Sequence, residues 1–342
     1  MLAVAPRLGR AVVWGLILVL VSAFALAPVL LSHDVYSYVD YARLGVRHSL
    51  DPYVHPPLAA PADPAYAEVT WTEATSAYGP LFTLATYLLA WLPVGAAVAV
   101  LKAVAALSVL GLAGLAGRIA AWRGVDPLRA AAFVALNPLV LVHVVGGAHN
   151  DGLTMLLAML AVAAVLSGRE PAGGGALVAA VAIKLSAAFL APFVLLGATR
   201  PKRLLAGALA TAATIALAAY LAFGWDWLHG FGLAGENQSR TSHMSIPITV
   251  ARLGGLDPDA VRVAAGLLFA ALVGYLLVWT WRGGDWIRAA AWAALGLLLA
   301  TAWLLPWYLI WPLPLVAISR DRLLQLLILA LTAYQLGARI PL

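Results

Sequence analysis

Apolar runs of membrane-spanning length follow one another along most of this 342-residue chain. The first run, residues 11–31, contains no charged residue and would extend for about 31 Å as a helix, which matches the hydrocarbon core of a bilayer. Further runs cover approximately residues 79–117, 130–148, 152–167, 174–198, 204–222, 259–281, 286–305, 307–318 and 323–338. The pattern predicts an all-α, polytopic transmembrane bundle of about nine to eleven helices, some of them short or re-entrant, within a single domain spanning 1–342.

Composition and charge support a membrane protein. Apolar residues make up 63% of the chain and charged residues 11%, whereas soluble domains carry about twice that charge. The net charge of +6 comes from basic residues in short turns between apolar runs, which is the positive-inside pattern rather than a nucleic-acid surface. A signal peptide ending near Ala27 is disfavoured, because the first run is long and many more follow. Cysteine is absent, which excludes disulfides and thiolate metal sites.

Two long polar segments, 32–78 and 223–245, interrupt the apolar pattern. With Arg7 and Arg10 on the cytoplasmic side, these segments and the turn 146–151 are predicted on the outer face, together with all seven histidines. Polar residues that share one face of a bundle could line a common cavity, although loops are also simply polar.

Three charged residues, Asp34, Asp151 and Lys184, lie next to or within apolar runs, where a charge is costly and therefore a candidate for function. Asp34 directly follows the first run and could be a helix N-cap or a general base. Asp151 ends a glycine-rich turn and could cap the next helix or serve a function. Lys184 interrupts an apolar run, so it either snorkels to the surface or pairs with a carboxylate or a phosphate. The Pro306-Trp307-Tyr308 stretch is expected to be a kinked interfacial segment, or a grip for an acyl or isoprenoid chain.

Nucleotide-binding and hydrolase motifs are missing from the sequence. It has no P-loop, no G-x-G-x-x-G, no H-E-x-x-H and no G-x-S-x-G pattern. A nucleotide donor would need a soluble phosphate-cradling domain, for which no stretch is long or mixed enough. A group donor would therefore be reached at the bilayer, which points to lipid-linked substrates.

The order of several short motifs over about residues 10–320 resembles one enzyme family. These motifs are His33-Asp34-Val-Tyr-Ser-Tyr, Asp51-Pro52-Tyr53, Tyr78-Gly79-Pro80-Leu81, Asn137-Pro138-Leu139, Gly-Ala-His149-Asn150-Asp151, Ile183-Lys184 and Pro306-Trp307-Tyr308. The chain resembles the polyprenol-phosphate-mannose-dependent α-1,6-mannosyltransferases of actinobacteria. More distantly it is similar to the catalytic subunit of the first GPI mannosyltransferase, and both belong to the GT-C class of multi-span glycosyltransferases.

This resemblance implies an inverting transfer of mannose from a polyprenyl-phosphate donor to a lipid-linked or cell-envelope glycan, at the outer face of the plasma membrane. Asp34 matches the catalytic carboxylate and would act as general base. Residues expected to bind donor or acceptor are His33, Tyr36, Arg43, Tyr78, His149, Asn150, Asp151, Lys184, Arg240, His243 and Tyr308. Relatives often carry Glu where Asp151 stands, which leaves acceptor preference open.

The cofactor and the function class have alternatives. No cofactor is required by the sequence, and a divalent cation between carboxylate and phosphate oxygens stays open, with its protein ligands unknown. A secondary transporter is the main rival from another class, although transporters usually contain internal repeats and none stands out here. A lipid flippase or an O-antigen-type ligase is a third alternative.

Overall fold

The computed structural model describes residues 9–236 and 239–337, so Arg7 lies outside the described part. This part is helical and contains no strand. The α-helices are α1 Arg10–Leu26, α2 Asp34–Arg47, α3 Pro80–Tyr87, α4 Val94–Trp122, α5 Pro127–Ala135, α6 Asp151–Leu166, α7 Glu170–Ile183, α8 Ala191–Gly197, α9 Pro201–Phe223, α10 His229–Glu236, α11 Ile246–Gly254, α12 Pro258–Trp281, α13 Trp286–Ala300, α14 Leu313–Ile318 and α15 Arg322–Gly337. Shorter 3-10 segments occur at Pro57–Ala59, Tyr66–Glu68, Leu185–Leu190, Asp226–Leu228 and Pro306–Ile310, and a π-helical turn at Val140–Val145.

Three of these helices, α4, α9 and α12, are long and apolar enough to cross a membrane. Seven shorter apolar helical segments accompany them in the described residues. The prediction of an all-α bundle with about nine to eleven apolar helices, some of them short, is thereby confirmed. Helix α12 lies at the periphery, since only 6% of its 18-residue apolar stretch is buried inside the bundle.

Helix α4 forms the centre of the bundle and packs against α1, α5 and α6. Val109, Leu112 and Ile119 of α4 are fully buried in the main hydrophobic core. Small residues let other helices approach more closely, as membrane helix pairs commonly do. A Cβ on Gly174 of α7 would lie 2.0 Å from a backbone oxygen of α9, so these two helices meet backbone to backbone.

Two apolar runs predicted to contain a short or re-entrant helix are broken in the structure. The run 79–117 divides into α4 and the 8-residue helix α3, which is about 12 Å long and too short to cross a bilayer. The run 174–198 breaks at Lys184, whose backbone is extended (φ −150°, ψ 122°). The two breaks meet, because the Gly79 N–H donates to the Ile183 carbonyl at 3.0 Å. A Cβ on Gly79 would lie 2.1 Å from the Ala182 carbonyl oxygen, so glycine is needed here.

The chain leaving α1 is held in place from α4 and from the turn before α6. Lys102 of α4 is buried, and its ammonium donates to the carbonyls of Ala27 and Pro28. The Leu30 N–H donates to the Gly146 carbonyl at 3.2 Å. The two bonds from Lys102 occupy carbonyls left free at the end of α1, and the Leu30 bond ties the chain just before α2 to the turn before α6. Sequence reasoning did not single out Lys102.

Candidate functional site

A cavity of about 480 Å³ lies where both polar segments meet the break in α7 and the 306–311 stretch. Its charged lining residues are Asp34, Lys184 and Arg240. Aromatic residues form much of the remaining wall, namely Tyr41, Trp71, Tyr78, Trp303, Trp307, Tyr308 and Trp311. The two polar segments 32–78 and 223–245 share this cavity as predicted, whereas the turn 146–151, which was predicted to join them, contributes no residue to the described lining.

Asp34 is the first residue of α2, and its carboxylate faces the cavity with 16% of the side chain exposed. Trp71 donates its Nε1–H to Asp34 Oδ1 at 3.1 Å, and His149 Nδ1 lies 3.7 Å from Oδ2. The N-cap alternative is wrong, because the cap residue is His33 and no side-chain cap hydrogen bond forms. Burial raises the pKa of Asp34, and the Trp71 hydrogen bond opposes that rise.

His149 and Asn150 lie behind Asp34 in the turn that precedes α6. His149 is 1% exposed and stacks on Trp307, with the ring centroids 3.7 Å apart. Neither ring nitrogen of His149 and neither side-chain polar atom of Asn150 has a hydrogen-bond partner among the described residues. Buried polar groups are usually hydrogen-bonded, so such a pair beside a cavity is suited to a water or a polar ligand.

Asp151 and Lys184 form an ion pair at the wall of the cavity. Lys184 Nζ donates to Asp151 Oδ2 at 2.7 Å, and Trp311 Nε1 donates to Oδ1 at 2.7 Å. The Lys184 ammonium also lies 5.4 Å from the Tyr308 ring centroid. The structure therefore shows Lys184 paired with a carboxylate, which is one of the two predicted alternatives. The other alternative, snorkelling to the surface, is wrong. Asp151 is not a helix cap either, since Asn150 occupies that position.

Arg240 brings the second polar segment to the cavity. Its guanidinium carbon lies 5.0 Å from the centroid of the Trp71 ring. The neighbouring Ser242 N–H donates to the Ala302 carbonyl at 2.8 Å, which ties this segment to the end of α13. Predicted site residue His243 is exposed and does not line the cavity within the described residues.

Six other predicted site residues are absent from the described cavity lining, namely His149, Asn150 and Asp151 behind it and Arg43, His33 and Tyr36 farther along the first polar segment. Arg43 is buried, where its Nε donates to Asp63 at 2.7 Å and its Nη1 to the carbonyls of residues 90 and 92. Its guanidinium thus ties the 51–78 loop to the connection between α3 and α4, and the expectation that it binds a ligand is corrected. His33 contacts the carbonyl of Glu68 at 3.0 Å, with Tyr36 beside its ring.

Sequence reasoning missed Trp71, and no periodicity or motif around it would have identified it. It also gave no role to Ser37 and Tyr41, although both are on the cavity face of α2. Their spacing of three and seven residues from Asp34 follows helix geometry and was a usable signal. Among the described residues no group of three or more His, Asp or Glu could hold a metal ion.

Comparison with known proteins gives consistent matches to one family. Residues 2–200 match the model described as "Alpha-(1->6)-mannopyranosyltransferase, N-terminal domain". The chain is similar to alpha-(1->6)-mannopyranosyltransferase A of Mycobacterium tuberculosis, with 31% identity over 332 residues that cover 85% of this chain and 63% of that protein. It is also 32% identical to the Corynebacterium glutamicum protein of the same name over 174 residues, covering 49% of this chain and 35% of that protein.

The chain spans less than two thirds of the length of the M. tuberculosis protein. The family model includes Asp34, Trp71, Asp151 and Lys184 but ends before Arg240. No solved structure matches the chain.

Proposed function

Because the chain belongs to the alpha-(1->6)-mannopyranosyltransferase family, we propose that it transfers mannose from a polyprenyl-phosphate donor to a lipid-linked or cell-envelope glycan. One observation carries the proposal: the Asp34 carboxylate and the Arg240 guanidinium face the same aromatic-walled cavity at the surface of an apolar bundle. A base and an anion-binding group are the two elements that transfer from a sugar phosphate requires.

The proposed reaction is a single displacement with inversion at the sugar. The acceptor hydroxyl oxygen forms a bond to the anomeric carbon while Asp34 takes the hydroxyl proton. The bond between that carbon and the phosphate oxygen breaks, and the electron pair leaves with the polyprenyl phosphate. Because this phosphate is already ionised, it needs a cation rather than a proton donor. Arg240 supplies that cation, and guanidinium geometry suits phosphate oxygens.

Lys184 has a more limited part in this proposal. Its ammonium is already paired with Asp151, so most of its charge is balanced within the protein. It still lines the cavity, and an ammonium has three N–H donors, of which Asp151 takes one. Lys184 therefore supports the phosphate with a remaining donor, and the Asp151 carboxylate fixes its position.

The wall of the cavity suits a lipid-linked donor. Beside the charged groups, the lining includes the apolar residues Leu185, Leu233, Leu297, Trp303 and Leu305. An isoprenoid chain can leave the phosphate over such a wall without exposing its methylenes to water. The aromatic rings offer apolar faces for the sugar.

The outer-face location rests on the two ends of α4. This helix has 29 residues and is about 43 Å long, enough to separate two membrane surfaces. Just before it, the Leu92 carbonyl accepts from Arg43 of the first polar segment. Just after it, Arg123 donates to Asp285 and to the Ile318 carbonyl. The basic turns and the cavity thus belong to opposite ends, which by the positive-inside rule supports an outer-face location at the plasma membrane.

The test is transfer by the purified chain from radiolabelled polyprenyl-phosphate mannose at saturating donor. Asp34→Asn keeps the shape of the side chain and removes proton acceptance, so we expect a rate loss of about 10²–10⁴ with unchanged thermal stability. Asp51→Asn is the matched control, because Asp51 lies in the same segment, is absent from the described cavity lining and accepts the backbone N–H of Tyr53 at 2.8 Å. Retention of activity within about threefold in Asp34→Asn would refute the base. A transporter would release no polyprenyl phosphate.

A further inference from the structure

The indole of Trp71 lies between the two charged groups of the proposed reaction. Trp71 belongs to the loop that closes the first polar segment, and its carbonyl accepts from the Ala74 N–H at 3.2 Å. The next residue, Thr72, accepts from the Leu58 N–H at 2.9 Å. The loop is also attached to α2, because the Tyr41 hydroxyl donates to the Ala74 carbonyl at 2.8 Å. The indole is thus held at the cavity by its own backbone.

The edge of the indole contacts the negative charge of Asp34, and its face contacts the positive charge of Arg240. An aromatic ring carries partial positive charge at its edge and negative charge on its faces. The Nε1–H at the edge donates to the Asp34 carboxylate at 3.1 Å, and the Arg240 guanidinium stands over the face at 5.0 Å. The anion and the cation are therefore held apart by one rigid ring instead of collapsing into an ion pair.

We propose that Trp71 is a positioning residue that fixes the carboxylate rotamer of Asp34 and supports Arg240, and so sets the separation between base and leaving phosphate. This inference rests on the proposed function for its two charged partners. The phosphate-binding group comes from the second polar segment and the base from the first. Trp71 contacts both groups, so it aligns the two segments across the reacting sugar.

A second tryptophan of the chain provides the matched control. Trp91 carries the same kind of stack, with the Arg47 guanidinium 5.5 Å from its ring centroid. Trp91 is 71% exposed and absent from the described cavity lining, whereas Trp71 is 37% exposed and part of it. A general role of tryptophan at the membrane interface would apply to both residues. A positioning role applies to Trp71 alone.

Two substitutions separate the two contacts of the indole. Trp71→Phe removes the N–H and keeps a ring for Arg240, so we expect kcat to fall about tenfold with an unchanged KM for donor, because hydrogen bonds to charged groups are worth at least that factor. Trp71→Ala also removes the support of Arg240, so it should raise the KM for donor and weaken binding of polyprenyl phosphate about tenfold. Trp91→Phe and Trp91→Ala should match the wild type in every quantity.

The indole N–H signal of Trp71 in a ¹⁵N-resolved NMR spectrum provides a readout that does not require turnover. This signal is assigned by its loss in Trp71→Phe, and it should move in Asp34→Asn and on addition of polyprenyl phosphate. If this signal does not shift in Asp34→Asn, or if Trp71→Phe keeps the wild-type kcat, the inference about Trp71 is wrong. A wild type that transfers no mannose but shows the Asp34-dependent signal would support the contact and overturn the proposed function instead.

Discussion

Replacing Lys184 by methionine tests the ion pair at the cavity wall. The substitution keeps the length of the side chain and removes its charge. Asp151 is fully buried and then retains Trp311 as its described hydrogen-bond donor, with one carboxylate oxygen left without its cation. We expect a clear loss of stability together with a loss of transfer.

The magnitude follows from the burial of the two partners. Removing one member of a fully buried ion pair typically costs about 3–5 kcal/mol, because the other charge stays buried and unpaired. Lys184 is 18% exposed and the Trp311 bond persists, so water and a remaining donor reduce that cost. We expect the free energy of unfolding to fall by about 2–3 kcal/mol. Transfer should fall at least about tenfold, which corresponds to about 1.4 kcal/mol.

The assay is reversible unfolding by SDS in micelles, followed by far-UV circular dichroism. Lys202→Met is the matched control, since Lys202 is exposed at the start of α9 and should change stability by less than about 0.5 kcal/mol. The double variant Lys184→Met/Asp151→Asn removes both charges and keeps an acceptor for Trp311. It should recover most of the stability but not the transfer activity.

Three outcomes would contradict this reasoning. A single variant Lys184→Met that is as stable as the wild type would mean that the Asp151 carboxylate does not depend on the ammonium. A double variant no more stable than the single one would mean that the cost arises from packing rather than from charge. Full recovery of transfer in the double variant would limit Lys184 to neutralising Asp151.

Two further predictions concern pH and topology. Transfer should decline as pH falls, because Asp34 must be ionised to accept a proton and burial raises its pKa. The acid limb of kcat/KM should have its midpoint above the ordinary carboxyl pKa of 3.8, and a midpoint at or below that value would contradict the prediction. The chain has no cysteine, so single cysteines can be introduced as labels. A cysteine at the exposed Ala62 should react with an impermeant reagent in intact cells, whereas one at Lys202 should react only after permeabilisation. The reverse pattern would show the opposite orientation in the membrane.

The arrangement of apolar helices could be predicted from the sequence because the bilayer imposes a length and forbids exposed charge. The same physics made Lys184 conspicuous, since an ammonium within an apolar run must find an anion. It also made Asp34 a candidate, because the first span ends just before it. These conclusions depend on positions close together in the chain.

Long-range contacts could not be predicted in the same way. Lys184 pairs with Asp151, 33 residues away, and that carboxylate also holds Trp311, 160 residues away. Nothing local distinguished Arg43, which is buried against Asp63, from Arg240, which reaches the cavity. Both are basic residues in polar segments, and only the folded loops decide which one faces a ligand.

The pattern along the chain was thus enough to predict the helices, the membrane class and a candidate carboxylate at the start of the first polar segment. The tertiary structure decided which groups meet Asp34, since Trp71 is 37 residues away in an irregular loop and Arg240 comes from the second polar segment. The physical reason is that hydrophobic periodicity reports only which face of a helix avoids water. The partners of a polar loop depend instead on hydrogen bonds and packing between segments that are distant in the chain.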